Sequence, residues 1–124
     1  DKMFCAGQGQ IVITSGDTGI AGFIPAEGSY KPGANDRAVF TVRDRIGGRK
    51  LMEKMLEPDG EGVIRVPFMP EYTEKLRAME YVFDIRYYLD AQEDGKGNIT
   101  AYRERITPME AGFLLVLPAI GGER

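Results

Sequence analysis

Hydrophobic and polar positions alternate most cleanly over Tyr81-Val82-Phe83-Asp84-Ile85-Arg86-Tyr87-Tyr88-Leu89-Asp90. Tyr81, Phe83, Ile85, Tyr87 and Leu89 share one parity, and Asp84, Arg86 and Asp90 share the other. Successive side chains of a strand point to opposite faces, so this spacing predicts one apolar wall and one largely charged wall. A helix would scatter the same residues around its axis. A charged wall turned to water or to a neighbouring strand favours an antiparallel sheet over a doubly covered parallel one.

Short runs of strand character recur along the chain between turn residues. Residues 10–14, 18–25, 38–44, 50–56, 63–68, 99–106 and 113–117 read as further strands. Ser15-Gly16-Asp17, Gly47-Gly48, Pro58-Asp59-Gly60-Glu61-Gly62 and the Asp94-Gly95 and Gly97-Asn98 pairs mark reversals. Gly supplies positive φ there, and Asp can bond its own backbone. Residues 27–36 read as a loop. The one helical candidate is Met69 to Leu76, where Pro70 suits a first helical position and Glu71 a first turn. That predicts a single helical turn near residues 70–76, with Leu76 plugging the core.

Many short strands at regular spacing predict a β-sandwich. Two positions sharpen this to an all-β, immunoglobulin-like antiparallel β-sandwich with one short helical turn. The helical turn precedes the strongest strand, as at an E–F corner, and Tyr81 stands where a tyrosine corner would lie. Phe83 then takes the place that a disulfide cysteine holds in antibody domains, which suits an intracellular domain with no bridge. Phe40, Val42, Ile64, Val66, Phe83 and Ile85 are the expected core. Arg43 and Asp84 point outward by parity on strands expected to be neighbours, and are predicted to form a cross-strand ion pair.

The run Phe113-Leu114-Leu115-Val116-Leu117 cannot send every side chain into one core. The expectation is that Phe113, Leu115 and Leu117 pack inward. Leu114 and Val116 are then the candidate interface, unless a neighbouring segment such as Met3-Phe4 covers them.

Composition closes several functional classes. A length of 124 residues suits one domain, read as an extension over 1–9 and a sandwich over 10–120. Sixteen Lys and Arg against nineteen Asp and Glu give a net charge of −3, without the basic footprint of a nucleic-acid binder. No run approaches the roughly 20 apolar residues of a membrane span, and the N-terminus lacks the apolar stretch of an intact signal peptide. Cys5 is the only cysteine, so no internal disulfide or thiolate metal site can form. The chain contains no His, which excludes Ser-His-Asp and Cys-His catalysis and His-based zinc sites. No catalytic residue, cofactor or metal is therefore expected, and the chain reads as a non-enzyme.

Smaller features have plainer readings. Gly16-Asp17-Thr18 reads as a tight turn rather than a metal loop. No helix follows Gly7-Gln8-Gly9, so it is not a phosphate loop. Arg103-Glu104-Arg105 reads as edge-strand charge that blocks sheet stacking. Met52, Met55, Met69, Met79 and Met109 suit either an adaptable surface or gaps in a core.

Four motifs in order carry a resemblance: Ile13-Thr14-Ser15-Gly16-Asp17-Thr18, Phe40-Thr41-Val42-Arg43, Gly62-Val63-Ile64-Arg65-Val66 and Tyr81-Val82-Phe83-Asp84-Ile85. Together they resemble the N-terminal immunoglobulin-like domain of phage baseplate upper proteins, found in tails of phages and prophages of Gram-positive bacteria. The likeness runs from about Gln10 to Leu117. It departs at Ser15, where Arg is common, and at Asn98-Ile99-Thr100-Ala101, which replaces a short Thr-Ile hairpin end. The resemblance implies a structural or adaptor role, exercised through protein–protein contacts with other tail or baseplate proteins. It also implies homo-oligomers, and a virion tail component made in the bacterial cytoplasm, with no nucleic-acid or membrane partner. The alternative on the same fold is a carbohydrate-binding module. Tyr81 and Tyr87 are claimed by the core, which leaves Tyr30, Tyr72, Tyr88 and Tyr102 as stacking faces, and the lack of Trp weighs against it.

Overall fold

The computed structural model describes residues 9–119. The extension expected over 1–9, with Cys5, the Met3-Phe4 segment and most of Gly7-Gln8-Gly9, lies essentially outside them. In chain order the elements are β1 (Gln10–Thr14), β2 (Gly19–Phe23), β3 (Arg37–Arg43), β4 (Lys50–Leu56), β5 (Ile64–Phe68) and α1 (Pro70–Thr73). β6 (Glu80–Leu89), β7 (Gln92–Glu93), β8 (Ile99–Ala101), β9 (Glu104–Ile106) and β10 (Gly112–Leu117) follow.

The fold is an all-β sandwich of the immunoglobulin type. Its six-stranded sheet runs β1-β10-β6-β3-β4 with β9 also on β6, and a two-stranded sheet pairs β2 with β5. β2 and β5 stand as strands B and E, and β3, β6 and β10 as C, F and G. One pair departs from the antiparallel expectation, because β1 runs parallel to β10. The chain leaves β1 through a tight turn, with Gly16 at φ 85°, and crosses straight to β2 in the opposite sheet. β1 therefore makes no hairpin with β2 and lies beside the last strand.

The inward parity of β6 meets the expected core. Phe40, Val42, Ile64, Val66, Phe83 and Ile85 are all buried, together with Ile11, Ala21, Phe23, Phe68 and Leu89. Phe40 lies at the centre of a ring cluster, with centroids 5.4 Å from Phe83 and 5.9 Å from both Phe23 and Phe68. Such tilted and edge-on pairs add to simple area burial. Gly112 faces this cluster, and a Cβ there would stand 2.6 Å from Phe83 Cζ and 2.8 Å from the Gly9 carbonyl oxygen.

The helical turn is shorter than Met69 to Leu76, but Leu76 still packs against the core. Fully buried Thr73 ties it to the β1–β2 turn: its Oγ1 accepts the Gly16 N–H at 3.0 Å and donates to the Asp17 carbonyl at 3.3 Å. The Gly16-Asp17-Thr18 segment is thus a hydrogen-bonded turn, with the Asp17 N–H also on the Thr14 carbonyl at 2.9 Å.

The strand expected over Ile99 to Ile106 is two pieces. β8 pairs with β7 in a hairpin, whereas β9 pairs with Tyr87–Leu89 of β6. The Arg103 N–H bonds the Leu89 carbonyl and its guanidinium meets Asp90, which turns the chain back onto β6. Residues 107–111, with Pro108, then separate β9 from β10 along the same side of β6.

Candidate functional site

The outer face of the six-stranded sheet carries the side chains that the core does not use. Register fixes its rows. Phe113 lies between Gln10 and Val82, and Leu115 lies between Val12 and Glu80. Arg43 is opposite Val82, Thr41 opposite Asp84, Val39 opposite Arg86, and Arg37 opposite Tyr88.

These rows overturn two expectations. Leu114 and Val116 are not outward: they are 0% and 1% exposed, while Phe113 and Leu117 are 45% and 39% exposed. Directly paired residues share a face, and Leu114 is paired with inward Ile11 and inward Tyr81. A run of five apolar residues contains no polar position to set its parity, so only the register decides it. Arg43 and Asp84 are likewise not an ion pair. The unbroken β3–β6 register sets Arg43 opposite Val82 and Thr41 opposite Asp84, and the Arg43 guanidinium donates to the Gly48 carbonyl at 3.0 Å. Asp84 lies instead beside Arg86 of its own strand, at 3.6 Å.

The other structural positions fall as expected. The Tyr81 hydroxyl donates to the Arg77 carbonyl at 2.8 Å, four residues upstream. Burial pushes its pKa up, with that hydrogen bond working the other way. Phe83 is buried beneath the sheet.

The corrected outer face has an apolar end. Phe113, Leu115 and Leu117 lie side by side with Val12 and Val82, and Ile46, 77% exposed, overhangs the hollow that Val82 and Arg43 line. The methionines divide between the two roles considered for them: Met52 is buried and Met109 packs on the core, whereas Met69 and Met79 are exposed.

The far end of the face is aromatic. Tyr88 and Tyr102 meet edge to face, with centroids 4.9 Å apart and planes at 78°. They line a cleft of about 490 Å³ between the sheet and the β7–β8 hairpin, together with Val39, Glu53, Met55 and Asn98. Of the four tyrosines left over by the core, only these two come together. Tyr30 donates to Asp36 at 2.6 Å, and Tyr72 lies under the Lys54 ammonium, 4.7 Å from its ring centroid.

Asp36 is a structural centre that sequence reasoning left inside a loop. Its carboxylate accepts from the Tyr30 hydroxyl, from the Gly33 N–H at 2.8 Å and from the Asp90 N–H at 3.0 Å. Burial pushes its pKa up, but these donors outweigh burial and hold it below its ordinary value of 3.8. The bond to Asp36 pushes the Tyr30 hydroxyl up to about 12. The available signal was an Asp three residues after Gly33, at the start of a strand, where Asp commonly caps a turn. Among the described residues, no group of three or more His, Cys, Asp or Glu is placed to hold a metal ion. None of the described helices is long and apolar enough to cross a membrane.

No protein-family model matches the chain, and no curated protein matches it. Among solved structures, the chain is similar to a candidate glycoside hydrolase from Bacteroides vulgatus, with a TM-score of 0.46 and 21% identity. That match covers 88% of this chain and 16% of the other, so the chain spans a small part of that protein. A likeness this loose carries no argument about function.

Proposed function

We propose that the chain is a non-catalytic adaptor domain that works by protein–protein contact. The observation that supports this most directly is the exposed apolar end of the outer sheet face, where Phe113 and Leu117 stand 45% and 39% open to solvent beside Leu115. Clustered exposed apolar residues of this kind tend to mark interfaces. Polar Gln10, Thr14 and Glu80 border them, the pattern of an apolar centre inside a polar rim. The resemblance to the N-terminal domain of phage baseplate upper proteins assigns the contact to a phage or prophage tail, as a virion component with other tail proteins or further copies of itself as partners.

The test joins genomic context to a binding measurement. Neighbouring coding sequences for tail fibre, baseplate or holin proteins are expected. The purified neighbour products are then titrated against the parent chain and against Phe113→Lys/Leu117→Lys, with self-association followed by sedimentation. The proposal expects one partner, or the self-association, to be lost in the double variant while its melting temperature stays near the parent's. A parent that stays monomeric at high concentration and binds none of the neighbour products overturns it.

A further inference from the structure

We propose that the cleft between the β7–β8 hairpin and the outer sheet face is a second, independent site, and that it binds an uncharged oligosaccharide. Its walls are held in place. At the base, Arg37 of β3 meets Glu93 of β7 at 2.7 Å, and the Ala91 N–H bonds the Asn35 carbonyl at 2.9 Å. At the tip, Asp94 accepts the Lys96 N–H at 2.7 Å, the Asn98 N–H at 3.0 Å and the Asn98 side-chain amide at 3.1 Å. Directly after Tyr102, Arg103 is fixed to Asp90 at 2.6 Å. A site preorganised in this way spends little binding energy on ordering itself.

The lining has the chemistry of a sugar site. A sugar ring is amphipathic, with patches of C–H groups on its faces and hydroxyls around its rim. Tyr88 and Tyr102 offer two aromatic surfaces nearly at right angles, so one can receive a C–H face while the other borders the ring edge. Val39 and Met55 extend the apolar floor. The Glu53 carboxylate and the Asn98 amide stand on the rim and can exchange hydrogen bonds with hydroxyls. A volume of about 490 Å³ falls within the roughly 300–1,000 Å³ of small-molecule sites.

Charge narrows the class. Lys50 is 3.2 Å from Glu53, Arg37 is taken by Glu93, and Arg86, opposite Val39, lies beside Asp84. These three cations thus have acidic partners, whereas Arg105, opposite Tyr88 on β9, and Lys96, beside Gly97, are not part of the lining, in which Glu53 is the charged side chain. Glu53 itself disfavours an anionic sugar, and an uncharged one fits.

The experiment is an amide NMR titration of the full chain with maltotetraose, cellotetraose, xylotetraose and chitotetraose at millimolar concentration. One of them is expected to shift signals of Glu53, Tyr88, Asn98, Ile99 and Tyr102 and to leave Phe113 and Leu117 unmoved. Tyr102→Ala, at a half-exposed position, is expected to weaken that binding about tenfold or more while the chain stays folded, its melting temperature lowered only by the lost ring contact with Tyr88. Glu53→Gln is expected to weaken it less. Absence of shifts with all four sugars overturns the proposal. So do shifts located elsewhere, binding that survives Tyr102→Ala, or a proline-rich peptide that fills the cleft when the sugars do not.

Discussion

Leu114 stands directly opposite Tyr81 across the β10–β6 pair, and that point of register decides which apolar residues of the last strand solvent can reach. Leu114→Lys places a charge at a fully buried position, so it is expected to cost several kcal/mol or to prevent folding. Phe113→Lys, one residue away on the exposed side, is expected to shift stability by no more than about 0.5 kcal/mol. Denaturant midpoints of the two variants check this. Equal losses would mean the strand is seated in the other register.

Tyr81→Phe tests the corner. The variant keeps the ring in the core but removes the hydroxyl that donates to the Arg77 carbonyl. A net loss of about 1 kcal/mol is expected, the usual size for one intramolecular hydrogen bond. A midpoint matching the parent's would show that water satisfies Arg77 equally well.

Phe83 and Gly112 form one packing unit. Phe83→Ala is expected to cost about 3–5 kcal/mol, since a buried aromatic is lost from a four-ring cluster. Gly112→Ala is expected to cost about 1–3 kcal/mol from overpacking, because the new methyl meets both the Phe83 ring and the Gly9 backbone. The double variant should lose less than the sum, since the smaller side chain at 83 makes room. Strict additivity in a double-mutant cycle would count against the contact.

Alternation was enough to place Phe40, Val42, Ile64, Val66, Phe83 and Ile85 in the core, because each has polar or turn neighbours that fix its parity. Tyr81 was legible for the same reason, standing between the helical turn and an alternating strand. Phe113 to Leu117 was not, since parity there comes from pairing with Ile11 and Tyr81, far away in sequence. The Arg43–Asp84 pair failed because the β3–β6 register, which no local pattern announces, sets Arg43 against Val82 and Asp84 against Thr41. The Tyr88–Tyr102 cleft was half legible. Both rings were counted as available, but their meeting depends on the break at Arg103, where a bond to Leu89 and a pairing with Asp90 override the strand character of the flanking residues.

Asp36 gives the fold a dependence on acid. Its three donors hold the carboxyl below its ordinary value of 3.8, so the ionised form is favoured more in the folded chain than in the unfolded one. A depressed carboxylate contributes stability that is fully present above the unfolded pKa and is lost as pH falls through the folded one. The loss therefore begins near 3.8 and grows below it. Other acids contribute as well, since Asp59 lies at about 2 and Asp94 is also lowered, so the readout must be a difference between variants. Asp36→Asn keeps the shape and an acceptor oxygen but removes the charge. It is expected to be less stable than the parent at neutral pH, because the Tyr30, Gly33 and Asp90 donors lose their charged acceptor. Denaturation midpoints measured from about pH 5 down to about pH 2 should then bring parent and variant closer together. Curves that stay parallel over that range would show that Asp36 keeps the same pKa in both states, and the three donors would then be holding shape alone.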